Sequence, residues 1–260
     1  MSDKHNKIYY NGNFHTMNEA LPSATSVACR DGKIIAVGNY TEFDDLAEDA
    51  EMIDLDGKFV FPGFIDTHSA AAIEAFNKAS STDENFAEAD AVQWVKDSMG
   101  FLSDKGTARL CLHGSGDRFK STLDKLAEKP DAPQILTETA YCSPFEEDVS
   151  DDYYDDILRD PDSSLLLFIP IFDDYTTVHE SMENLTVLAA KNIGRDSDLG
   201  TIEPGKIADF TVFDENPFAA NMRTFSRMHA SMVIIDGETA YDADLQASSE
   251  LFDMLLGQAF

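Results

Sequence analysis

Apolar and polar positions follow one grammar at both ends of the chain and another between them. Near the start, "SVACRDGKIIAVG" sets Asp31-Gly32 between two runs of β-type residues, and "EMIDLDGKFVFPG" does the same at Asp56-Gly57. Asp-Gly between such runs predicts a β-hairpin, because Gly accepts the positive φ of a tight turn. The far end repeats the pattern. "GTIEPGKIADFTVFD" turns at Pro204-Gly205, and "SMVIIDGETAYD" turns at Asp236-Gly237. A lone hairpin is marginal in water. The economical solution packs both sets together as one β-sandwich built from both chain ends.

The middle, from about residue 64 to 194, is mixed. "ADAVQWVKDSMGFL" places Val92, Val95, Met99 and Leu102 at helical spacing. "RLCLHGSGD" reads as a short strand that breaks at Gly114. "TTVHESMENLTVLAAKNIG" reads as one helix: Thr177 and Glu180 are spaced as a capping box. Val178, Met182, Leu185, Leu188 and Ala189 form its apolar stripe, and Gly194 ends it. A last amphipathic helix spans Leu245 to Leu256.

Composition narrows the function classes. Asp and Glu number 49 against 19 Lys and Arg, for a net charge of -30. Nucleic acid and anionic membranes are therefore excluded as expected partners, since like charges repel. The acidic run "DDYYDDILRDPD" reads as solvated surface. So much Asp also suits a salty cytoplasm, where screening relieves self-repulsion. Cys29, Cys111 and Cys142 make an odd count without paired spacing, which argues for a reducing compartment and against a disulfide framework. "MSDKHNKIYY" has no apolar signal core. The longest apolar run, "LLLFIPIF", falls far short of the ~20 residues of a membrane span. The expectation is a cytoplasmic protein.

"GKIIAVG", "DLDGKFVFPGFIDTH" and "LGTIEPGKIADFTVFDENP", in that order, resemble the amidohydrolase superfamily. The nearest branch by "LHGSGDRFKSTLDKLAEKPDAPQIL" is the N-substituted formamide deformylase group. The resemblance is good over residues 6 to 68 and 185 to 241, and weaker over 90 to 142. It implies a (β/α)₈ barrel carrying a small β-sandwich, and metal-assisted hydrolysis of amide and other C–N bonds.

The family's first metal motif is His-x-His on a barrel strand, where residues i and i+2 share a face and two imidazoles reach one ion. The matching positions are His68 and Ala70, and an alanine methyl cannot donate to a metal. His68 is a residual ligand. His113, at the end of a strand before "GSGD", is the candidate to replace the lost one. Asp173 or Asp174, after "LLLFIPIF", is the candidate for the family's catalytic acid at the last barrel strand. The plain alternatives are a strand-end histidine and helix-start or surface acids. Asp66 matches the family pattern and is expected to hydrogen-bond around the strand end. His5 falls in the chain start, His15 and His229 in the sandwich regions, and His179 in the first turn of a helix. Cys142 reads as a small buried residue.

Length weighs more than Ala70. The interval from Gly63 to Leu199 is about half of the ~250 residues of a complete barrel. The expected architecture is therefore α/β plus β. Residues 6–62 and 195–243 form a composite β-sandwich, 63–194 a truncated, incomplete (β/α) barrel-derived middle, and 244–260 a C-terminal helix. Exposed strand edges would need cover, which a homodimer can supply. The leading functional expectation is a pseudoenzyme with little or no hydrolase activity and no cofactor. The alternatives are an active hydrolase with a rebuilt mononuclear zinc site, a small-molecule binding or scaffold module, or a deletion product that keeps only its stable sandwich.

Overall fold

The computed structural model describes residues 6–48, 50–67, 103–110 and 177–245. Two Asp-Gly pairs close hairpins as expected. Asp31 and Gly32, with φ of 52° and 76°, join β4 (Ser26–Arg30) to β5 (Lys33–Gly38). Asp236 and Gly237, with φ of 52° and 72°, join β11 (Met232–Ile235) to β12 (Glu238–Asp242).

The other two turns are turns but not hairpins. Asp56 and Gly57 adopt positive φ, yet the strands they connect, β6 (Glu51–Asp54) and β7 (Phe59–Pro62), lie in different sheets. β6 runs parallel beside β1 (Lys7–Tyr10), while β7 pairs antiparallel with β10 (Phe210–Phe213). Turn residues fix the local reversal and leave the choice of partner to packing. Leu55 between them is buried in the core that the two sheets share. At Pro204-Gly205 the residues before the turn form no strand. The turn docks on β5 instead: the Gly205 amide donates to Ile34 O at 2.8 Å, and the Ile34 amide donates to Lys206 O at 2.9 Å.

The strands make a four-stranded sheet, β5-β4-β1-β6, and a six-stranded sheet, β12-β11-β10-β7-β2-β3, with β2 at Asn13–His15 and β3 at Ser23–Ala24. The larger sheet joins three strands from each end of the sequence, which meet where β10 pairs with β7. Tyr9, Val27, Ile34, Val60, Val212 and Ile234 share one core cluster. Their immediate neighbours Phe61, Phe213, Val233 and Ile235 belong to another, with Val178, Met182 and Leu185. Period-two alternation thus sends adjacent residues of β7, β10 and β11 into opposite cores. The larger sheet is covered on both faces.

A separate parallel pair, β8 (Phe64–Asp66) and β9 (Thr107–Leu110), packs on the second core. Between β5 and β6 lies a short helix, α1 (Asp44–Ala47). The single helix expected after Thr177 is two, α2 (Val178–Leu185) and α3 (Val187–Asn192). The break is at Thr186, whose φ of -122° and ψ of -88° leave the helical region. Gly200 abuts it, where a Cβ would lie 2.8 Å from that of Ala190 and 3.1 Å from Thr186 O. The capping box forms: the Glu180 amide donates to Thr177 Oγ1 at 3.2 Å and the Thr177 amide to Glu180 Oε2 at 2.7 Å. Gly194 ends the helical run with φ of 69°. A short helix, α4 (Met222–Phe225), precedes β11. The helix expected over 90–102 lies outside the described residues, as does all but the first residue of that expected from Leu245. Among the described residues no helix is long and apolar enough to cross a membrane.

Candidate functional site

Parallel strands flanked by helices carry their chemistry at their C-terminal ends. Here that end belongs to β8 and β9. Asp66 closes β8 and Thr67 follows it, and both are buried. Next in sequence comes His68. His68, Ala70, His113, Asp173 and Asp174 lie outside the described residues, as do His5 and Cys142. Among the described residues, no three His, Cys, Asp or Glu side chains gather as a group able to hold a metal.

What the described residues do show is how the strand pair is held. The Gly63 amide donates to Asp209 O at 2.8 Å. One residue on, the Phe64 amide donates to Thr211 Oγ1 at 3.2 Å, and that hydroxyl donates to Gly106 O at 2.6 Å. A single threonine of β10 thus ties β8 to the residue that leads into β9. Arg109, on β9, reaches the same region with its guanidinium. Nε donates to Asp209 Oδ2 at 2.6 Å and Nη2 to Asp209 Oδ1 at 2.9 Å, a bidentate fork. Nη2 also donates to Asp236 Oδ1 at 2.8 Å, and the Asp236 amide donates back to Asp209 Oδ1 at 2.9 Å. The Arg109 and Asp209 side chains are 5% and 3% exposed. Burial works against the Arg109 charge, but the two carboxylates outweigh it and raise the guanidinium pKa. Burial pushes the Asp209 carboxyl up, against the pull of Arg109 and of the Asp236 amide.

The remaining histidines have structural partners. His15 stacks on Phe61 with centroids 4.9 Å apart, and burial holds its pKa below the ordinary value. His179 stacks on Phe218 at 5.3 Å. His229 Nδ1 lies 2.6 Å from Asp104 Oδ2, and Tyr241 donates to the other Asp104 oxygen at 3.2 Å. Cys29 is buried, and desolvation pushes its thiol up to about 12. It is a packing residue at neutral pH.

The C-terminal motif "LGTIEPGKIADF" does architectural duty. Lys206 is buried and donates to Asp196 O at 2.7 Å and Leu199 O at 2.9 Å, with Glu203 Oε1 at 3.0 Å. Asp209, the second of the motif's two acids, anchors Arg109. Sequence reasoning did not single out Arg109, Asp209 or Asp236. The available signals were an arginine within the β-type run "TARLCL" and an aspartate enclosed by "IADF".

The sequence profile of the amidohydrolase family matches residues 169–241. An N-substituted formamide deformylase from Arthrobacter pascens is 36% identical over 77 residues, 29% of this chain and 14% of that protein. An imidazolonepropionase from Solibacter usitatus is 37% identical over 65 residues, 25% of this chain and 16% of that protein. These matches span about a seventh of the curated relatives' length. Among solved structures, an amidohydrolase from Thermotoga maritima superposes with a TM-score of 0.54 at 15% identity, covering 90% of this chain and 99% of that one. That likeness concerns the fold. By profile over residues 169–241 and by sequence over 65 to 77 residues, this chain is similar to amidohydrolases along part of its length.

Proposed function

We propose that this chain is a shortened amidohydrolase-superfamily protein whose metal centre is defective or absent, with little or no hydrolase activity. One observation carries the reading: the interval between Gly63 and Leu199 offers about half a barrel's length for the strands that bear the ligands. Ala70, standing where the second imidazole of the His-x-His clamp belongs, supports it. A bound divalent metal, zinc in the simplest case, would polarise a carbonyl and acidify its water. As residue types, His68 and Ala70 do not fit the family's two-imidazole clamp. A working centre would have to be rebuilt as a mononuclear site from His68, His113 and Asp173 or Asp174. The retained sandwich and strand pair suit a binding or scaffold role. Self-association as a homodimer would cover the edges of an incomplete barrel.

Elemental analysis of the purified protein, with assays on simple amides and formamides, tests the reading. The expected result is metal well below one equivalent and no turnover above background. Near-stoichiometric zinc with turnover that His68→Ala abolishes would establish the rebuilt hydrolase instead. Light scattering over a range of concentrations tests the dimer, and a strictly monomeric particle would exclude it.

A further inference from the structure

We propose that Arg109, Asp209 and Asp236 form a clasp that makes the order of the β8–β9 strand pair depend on the composite sandwich. The inference stands whether or not the strand end binds a metal.

Three independent attachments converge on the same place. Arg109 belongs to β9, and both its acidic partners belong to the sandwich: Asp209 immediately precedes β10, and Asp236 sits in the β11–β12 turn. Thr211 ties Phe64 and Gly106 from β10. Gly63 and Gly106 let the backbones close up: a Cβ on Gly63 would lie 2.7 Å from Ala108 Cβ and 2.8 Å from Asp209 Cβ, and one on Gly106 would lie 2.5 Å from Thr211 Cγ2.

The chemistry of the clasp explains why it is specific to this junction. Among the described residues, β8–β9 is a two-stranded sheet of three and four residues. A pair that small is not stable alone, and among the described residues what it docks on is the sandwich. A buried guanidinium is tolerated only with carboxylates at fixed positions. Asp209 meets it with a bidentate fork, and Asp236 is held near by its own amide on Asp209. The Arg109 site is therefore complete only when the β11–β12 hairpin, β10 and β9 are all in place. Removing any one leaves a buried charge without its full complement.

Hydrogen exchange with mass spectrometry on the full chain tests this, comparing wild type with Arg109→Met and Asp236→Asn. In Arg109→Met, amides of 63–67 and 103–110 should exchange roughly tenfold faster or more, while 7–10 and 26–38 stay within about twofold of wild type. Equal acceleration at all these sites would show that Arg109 contributes only to global stability, and no acceleration would show that the cluster is dispensable. Either result overturns the clasp. If Arg109→Met does not fold, Asp236→Asn decides. It removes only the 38%-exposed partner charge and should show the same local pattern at about two- to threefold; uniform or absent change in it overturns the proposal equally.

Discussion

At Gly63 the chain threads between Ala108 and Asp209 with no room for a methyl group, since an added Cβ would meet both at under 3 Å. Neither neighbour is the end of a flexible side chain, so the backbone itself must shift. Gly63→Ala is expected to destabilise by about 1–3 kcal/mol, read as a lowered midpoint in urea unfolding. His15 supplies a pH dependence of definite sign. Burial against Phe61 lowers its folded pKa below the unfolded value of about 6.5. The stability carried by neutral His15 is complete above that value and is lost as pH falls through the lower folded pKa. His15→Gln should therefore show a smaller loss of stability between neutral and mildly acidic pH than wild type. A loss of equal size would place the acid sensitivity elsewhere. At this scale the sequence sets Ala70 against the second imidazole of the family's clamp, at a position outside the described residues. Arg109 did not declare its role, because its partners Asp209 and Asp236 become neighbours only when strands from distant parts of the chain meet.

Local signals with a local cause were the ones that read well among the elements. The Thr177–Glu180 capping box, the Gly194 stop and the reversals at Asp31-Gly32 and Asp236-Gly237 need only a few adjacent residues, and each is present. The pairing of strands is not local. Asp56-Gly57 has the same left-handed geometry as the true hairpin turns, yet it turns a corner between sheets because Leu55 and Val60 pack into the shared core. The helix break at Thr186 has no such local signal; at the break the chain packs closely against Gly200, from beyond the helix. The cap also sets a measurable quantity. Thr177→Ala leaves the Glu180 amide without its side-chain acceptor and should cost about 1 kcal/mol, checked by thermal unfolding. Thr177→Ser should retain most of that stability.

For the whole molecule, charge outweighs any single contact. A net charge of -30 on 260 residues means strong self-repulsion in the compact state. Several of the few basic groups are already engaged: Lys7 with Glu51 and Glu238, Lys58 with Asp214, and Arg195 with Asp198. Raising salt from about 0.1 M to 1 M shortens the screening length from roughly 10 Å to 3 Å. The expected outcome is a melting temperature that climbs with added sodium chloride, while a flat or falling profile would mean that exposed ion pairs outweigh repulsion.

The pairing of β7 with β10 has a consequence for how such a chain changes length. Phe61 sits opposite Thr211, and the Gly63 amide bonds directly to Asp209 O. The chain leaves the sandwich at one of these two posts, Gly63, and is back on it by Ile202, whose amide donates to Thr16 O, before it reaches the other, Asp209. To the sandwich, that whole stretch is a closed loop, and closing a loop costs only the logarithm of its length. Halving or doubling it alters the cost by about 0.6 kcal/mol. Deletions between the posts that spare β8, β9, α2 and residues 199–208, which pack on the sandwich, thus cost it little in loop closure, whatever they do to the chemistry inside.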